Sequence, residues 1–290
     1  MGVEKLRDIG WIEGAVLARY APDRDTSSPA RLAMAGRLRT AIERGDLQLH
    51  HQPQIDLGTR QTVGVEALVR WTPPGQAHPV PPVDFIEVAE RTGLIHPLTR
   101  LVLDRAATIA AAWAEQGLDL RTSVNLSARN LEDPSLVGDL AAVLDDHRLD
   151  PQRLEVEVTE TSVMLDPQAA IATLRRIHEL GVRVAIDDFG TGHSSLAYLA
   201  QLPVDRLKID RSFIRGLGEP GPQAAVVHAV TDLARHLGLE VVAEGVETEA
   251  QLAALVATGC DIGQGYGICR PLPLARLTSM RQRLPCRSPA

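Results

Sequence analysis

Residues 183–188 read Arg183-Val184-Ala185-Ile186-Asp187-Asp188, and residues 154–160 read Leu154-Glu155-Val156-Glu157-Val158-Thr159-Glu160. Each is a short run of branched apolar residues, which suit a strand, closing on carboxylates. The same plan recurs in Val124-Asn125-Leu126-Ser127, in Leu207-Lys208-Ile209-Asp210 and in Val241-Val242-Ala243-Glu244. Working outward, the strand candidates are residues 48–55, 63–71, 122–126, 154–158, 183–186, 206–209, 239–243 and a short one at 261–264. Several are nearly continuous apolar runs, as expected where both faces of a parallel sheet are buried. Helical patterns lie between them. Residues 31–44 read as a helix stopped by Gly45. Ile171, Leu174 and Ile177 share a face after Asp166-Pro167. Val226, Val230, Leu233 and Leu237 follow the helical period up to Gly238, and Thr248-x-x-Gln251 is a capping box ahead of Leu252 and Leu255. Strands and helices alternating over about 250 residues predict an α/β protein, a TIM-like (β/α)8 barrel, with an open doubly wound sheet as the competitor.

Composition narrows the class. The chain has 290 residues, 44% hydrophobic and 23% charged, which excludes disorder as the main state. Lys plus Arg total 30 against 37 Asp plus Glu, so the net charge of −7 argues against binding a nucleic-acid polymer. No apolar run reaches the roughly 20 residues of a membrane span, and residues 1–10 do not form a signal peptide. Three cysteines without metal-ligand spacing suggest a reducing, cytoplasmic setting. Lys5 and Lys208 are the only lysines beside 28 arginines, so an interior lysine in this chain reflects either a need for a compact ammonium or titratable amine, or chance. Residues 1–30, with the turn-rich stretch 21–29, read as a linker or the remnant of an upstream domain. The barrel is expected over 31–280 and a C-terminal tail over 281–290.

In a parallel barrel the C-terminal strand ends share one rim, where active sites are built. That rim would gather Glu66, Asn125, Glu157, Glu160, Asp187, Asp188, Lys208, Glu244 and Gln264. Crowded carboxylates repel one another and lose hydration, and divalent cations remove that cost. An oxygen-only set suits Mg2+, Mn2+ or Ca2+, and a carboxylate shared between two such ions is the usual arrangement for in-line attack on a phosphate ester.

Seven blocks in register then resemble the EAL-domain cyclic-di-GMP phosphodiesterases. They are Glu66-Ala67-Leu68-Val69-Arg70-Trp71 with Gln52-Pro53 upstream, Asn125-Leu126-Ser127, Glu157-Val158-Thr159-Glu160, Asp187-Asp188-Phe189-Gly190-Thr191-Gly192, Lys208-Ile209-Asp210, Ala243-Glu244-Gly245-Val246-Glu247, and Gln264-Gly265-Tyr266 with Arg270-Pro271. The resemblance covers about residues 33–275. It implies a barrel whose first strand is antiparallel, two Mg2+ or Mn2+ ions, and hydrolysis of cyclic di-GMP to linear pGpG. It further implies that Glu66, Asn125, Glu157 and Asp187 hold one ion and that Asp187, Asp188 and Glu244 serve the other. Lys208 would contact the attacking water, with Gln264 beside it. Gln52, Leu68 and Arg70 would contact the nucleotide, and Glu160 would anchor the loop 188–195 that couples the site to a homodimer. Residues 1–30 resemble the join to an upstream GGDEF domain; a sensory domain is the other expected neighbour. His51 and His193 depart from the aromatic residues common in the family, and no expected metal ligand is missing. A catalytically silent cyclic-di-GMP receptor and an unrelated metal-dependent barrel hydrolase or enolase-type lyase are the competing readings.

Overall fold

Strand β1 (Gln48–Asp56) and strand β2 (Thr62–Arg70) are joined by only residues 57–61. A link that short cannot carry a parallel crossover, so the two strands run antiparallel, with Gln52 opposite Glu66. Asp56 closes the turn, its Oδ1 accepting from the Thr59 N–H at 2.6 Å and from the Thr59 hydroxyl at 2.7 Å. The computed structural model describes residues 29–191, 196–219 and 221–279. Of the expected linker at 1–30, residues 1–28 lie outside the described residues and Pro29 and Ala30 open the first helix; the tail at 281–290 and His193 also lie outside the described residues.

Beyond the hairpin the sheet is parallel through β3 (Arg121–Leu126), β4 (Leu154–Thr159), β5 (Arg183–Phe189), β6 (Arg206–Ile209), β7 (Glu240–Ala243) and β8 (Ile262–Gly263). It closes where β8 pairs antiparallel with β1 at Ile55 and Asp56. The short β9 (Leu272–Pro273) pairs with the other half of β1, at His50 and His51. The result is an eight-stranded mixed barrel in which β1 alone is reversed, a correction to the all-parallel reading of the strand pattern and the arrangement the resemblance implied.

Helices cover the outside of the barrel. The helix at Pro29–Arg44 matches its expected position. Ile171, Leu174 and Ile177 are buried on the helix Pro167–Glu179, and both halves of the Thr248–Gln251 capping box form. On the helix Gln223–Leu237 the expected face is met in part: Val230 and Leu233 pack against the core, Val226 and Leu237 are exposed, and the most buried residues are Val227, Thr231 and Ala234. Small residues let the helix backbone approach the sheet, so the bulkier aliphatics flank the contact. His51, where the family has an aromatic, packs as one. It is fully buried and meets Trp113 edge-on, with ring centroids 6.0 Å apart.

The barrel interior is polar and layered. Side chains two apart on a strand point the same way one rung apart. Glu155 and Glu157 on β4, Arg206 and Lys208 on β6, and Gln54 and Gln52 on β1 therefore divide between a lower layer and an upper one, nearer the C-terminal rim. In the lower layer Arg206 Nη1 meets Glu155 Oε1 at 3.1 Å and its Nε meets Glu240 Oε2 at 2.7 Å. Arg121 adds a further contact to Glu240 at 3.0 Å.

Candidate active site

The upper layer is organised around Lys208, which is 1% exposed. Its Nζ lies 2.6 Å from Glu157 Oε2, 2.7 Å from Glu244 Oε1 and 3.3 Å from Asp187 Oδ1. A compact ammonium with three donors fits that socket, and a planar guanidinium does not. Burial alone would push the Lys208 ammonium down, but Glu157, Glu244, Glu66 and Asp187 together hold its pKa well above the ordinary lysine value.

One cation does not neutralise the layer. Burial raises the Glu157 carboxyl well above its usual range; Lys208 opposes this, while Glu66, Asp187 and Glu155 reinforce it. Glu244 is pushed up to about 8, chiefly by burial, with Asp187 and Glu66 adding to the shift against Lys208. Asp188 is raised by burial and by its neighbours Asp187 and Asp210.

Two consecutive residues on an ideal strand would point to opposite faces. Here the β5–β6 register shifts between Ile186 and Phe189, and Asp188 adopts a left-handed φ of 53°. This local break brings Asp187, Asp188 and Glu244 together, with one carboxylate oxygen from each within 4.8 Å of the others. The Asp188 N–H donates to Asp187 Oδ1 at 2.9 Å and orients it. Glu157 Oε1 is buried and accepts no hydrogen bond. An unpartnered carboxylate oxygen beside oxygen-only neighbours fits a hard divalent cation.

Glu66 on β2 is fixed from both sides. Asn125 Nδ2 donates to its Oε1 at 2.7 Å, and Gln264 Nε2 donates to its Oε2. Gln264 also donates to Gln52 Oε1 at 3.3 Å, and Gln52 Nε2 donates to the Cys269 carbonyl at 3.1 Å. Leu68 and Arg70, further along β2, are half-buried; Arg70 Nη1 donates to the Val69 carbonyl at 3.0 Å, and burial lowers the guanidinium pKa against the opposing influence of Tyr266 and Glu66. Glu160 is buried at the start of the helix Glu160–Leu165, and its Oε2 accepts from the Gly190 N–H at 2.8 Å. Gly190 has a φ of 95°, and a Cβ there would meet the Phe213 ring at 3.0 Å, so the turn leaving β5 requires glycine. The structure thus brings together Glu66, Asn125, Glu157, Asp187, Asp188, Lys208, Glu244, Gln264 and Gln52. Sequence reasoning missed Gln54, whose Nε2 donates to Gln264 Oε1 at 3.0 Å. Its inward direction follows from the two-residue spacing to Gln52.

A barrel with one reversed strand and an acidic rim around a buried lysine defines a metal-site class of α/β barrel. The EAL-domain family model matches residues 35–271, and the chain belongs to that family. Among curated relatives, it is 42% identical to the bifunctional diguanylate cyclase/cyclic di-GMP phosphodiesterase MucR of Pseudomonas aeruginosa over 87% of this chain and 37% of that protein. It is 44% identical to the cyclic di-GMP phosphodiesterase NbdA of the same organism over 85% of this chain and 31% of that one. The chain thus spans about a third of the length of the curated relatives it matches. The solved structure of a MucR phosphodiesterase in complex with c-di-GMP superposes with a TM-score of 0.80 at 43% identity, covering 84% of this chain and 99% of that one.

Proposed function

We propose that this chain hydrolyses one phosphodiester of cyclic di-GMP to give linear pGpG, with two Mg2+ or Mn2+ ions. The observation that carries the reading is the surplus of carboxylates around Lys208, in a chain that belongs to the EAL-domain family. Glu66, Asn125, Glu157 and Asp187 would hold one ion, and Asp187, Asp188 and Glu244 the other. When bound, such ions acidify a coordinated water and neutralise the non-bridging phosphate oxygens. The water oxygen bonds to phosphorus and gives up a proton to solvent as the bond to the 3′-oxygen breaks, and that oxygen takes up a proton from solvent to leave as a hydroxyl.

Lys208, in contact with Glu157, Glu244 and Asp187, supplies a fixed positive charge beside the attacking water. Asn125 and Gln264 hold the Glu66 carboxylate in one orientation. Gln52, Leu68 and Arg70 contact the nucleotide, with the Arg70 guanidinium suited to fork onto a phosphate. Glu160 ties the turn at Gly190 to the rim and so links the site to a homodimer. An upstream GGDEF or sensory domain is a proposed neighbour, and the cytoplasm the proposed compartment. No helix among the described residues is long and apolar enough to cross a membrane.

The test is incubation with cyclic di-GMP, with and without Mg2+ or Mn2+, with products separated by chromatography. Metal-dependent appearance of pGpG is expected. Binding of the dinucleotide without any linear product under every metal condition would favour the receptor reading instead.

A further inference from the structure

Gln54 is buried in the lower layer, on β1, and touches none of the carboxylates of the rim. Its amide nevertheless joins the two layers. Nε2 donates to Gln264 Oε1 at 3.0 Å, while its Oε1 faces Arg206 Nη1 at 3.5 Å. Gln264 continues the chain by donating Nε2 to Glu66. The directions of these bonds are forced at both ends. An ionised carboxylate only accepts, so Gln264 must turn its NH2 to Glu66 and its oxygen to Gln54. A guanidinium only donates, so Gln54 must turn its oxygen to Arg206 and its NH2 to Gln264. Gly64 leaves the room this requires, since a Cβ there would meet Gln54 Oε1 at 3.1 Å and the Arg121 carbonyl at 3.0 Å.

We infer that Gln54 is a positioning residue: it locks the Gln264 amide in the one orientation that donates to Glu66, and through it fixes the Glu66 carboxylate for metal binding. The inference rests on the proposed metal-dependent reading of the rim and extends it to a residue that reaches neither metal nor substrate. Groups that orient a metal ligand typically alter affinity 10- to 100-fold when lost. Without the Gln54 donor, the Gln264 oxygen is buried without a partner, and the amide loses the contact that aligns its NH2 on Glu66 and Gln52.

The experiment compares Gln54→Met, Gln54→Glu, Gln264→Ala and the double variant Gln54→Met/Gln264→Ala with the parent. Mn2+ affinity is measured by calorimetry without nucleotide, and thermal midpoints are recorded in EDTA. Gln54→Glu keeps an acceptor for Arg206 but loses the donor to Gln264, so it tests the orientation even where Gln54→Met folds poorly. Both single variants at Gln54 are expected to bind Mn2+ about tenfold or more weakly. The double variant should bind no more weakly than Gln264→Ala. Parental Mn2+ affinity in Gln54→Glu, or an effect of Gln54→Met undiminished in the Gln264→Ala background, would overturn the assignment alone. A parent that takes up no Mn2+ would overturn it together with the reading on which it rests.

Discussion

Glu240 and Glu244 stand four residues apart at the two ends of β7, and their carboxyl groups behave in opposite ways. Burial raises both. At Glu240 the contacts to Arg206 and Arg121 outweigh burial and hold the carboxyl below its usual value. At Glu244 a single lysine is shared with Glu157 and Asp187, and the carboxyl is pushed up to about 8. Glu244 is the more buried of the two, with its side chain 20% exposed against 41% for Glu240, and the ratio of cations to carboxylates acts in the same direction. The lower layer sets Arg206, Arg121 and Arg183 against Glu155 and Glu240, so its charges balance, although Glu155 Oε2 and Arg206 Nη2 are buried there without a hydrogen bond. The upper layer sets Lys208 against Glu66, Glu157, Asp187, Asp188 and Glu244 and does not balance.

The strongest way to break this contrast is to damage the balanced layer. Arg206→Met strands Glu155 in the interior, and loss of one partner of a buried pair costs about 3–5 kcal/mol. Urea unfolding in EDTA should show that loss, and Mn2+ should not restore parental stability, since loss of Arg206 also frees the Gln54 amide. A variant that regains parental stability with Mn2+ would mean the layers are not distinct. Next in size is Lys208→Arg, which keeps the charge but not the compact three-donor shape. Turnover should fall about 100- to 1,000-fold, as when a preorganised charge partner is lost. Turnover at the parental rate would show that any cation serves.

Asp188→Asn removes one negative charge where φ is 53°, a conformation Asn tolerates well. In EDTA its thermal midpoint should equal or exceed the parent's, while Mn2+ affinity falls at least about tenfold. A lowered midpoint with unchanged Mn2+ affinity would make Asp188 a structural turn residue only. The last contrast is in pH dependence. A Glu244 carboxyl raised from 4.5 to about 8 binds its proton more tightly folded than unfolded, so metal-free stability should decline as pH rises through that window. Glu240, shifted the other way, contributes stability above its unfolded pKa that is lost in acid. Titrating the midpoint in EDTA with and without Glu244→Gln isolates the first slope, and a slope that persists in the variant assigns it to other groups.

Much of this was legible in the residues. Apolar runs closing on carboxylates located β3 through β7 and the whole acidic rim. The reversal of β1 was not legible from periodicity, because side-chain alternation is the same in both directions. The short link at 57–61 carried that information instead, through the length a crossover requires. The lower layer escaped notice for a related reason. Glu155 and Arg206 look like the solvent face of an alternating strand, and only closure of the sheet turns that face inward. The helix Gln223–Leu237 was read only in part: Val230 and Leu233 do reach the core, but Val227, Thr231 and Ala234 make the closest approach and Val226 and Leu237 face out. Gln54 was hidden because a neutral amide carries no signal until Arg206 and Gln264 are placed on either side of it.

The central claim is that the upper layer is completed by divalent cations while the lower layer needs none. Crystals equilibrated with Mn2+ and measured at the manganese absorption edge test it most directly. Two anomalous peaks are expected, both at the rim among Glu66, Glu157, Asp187, Asp188 and Glu244, with none beside Glu155 and Arg206. An anomalous map with no peak at the rim would contradict the account.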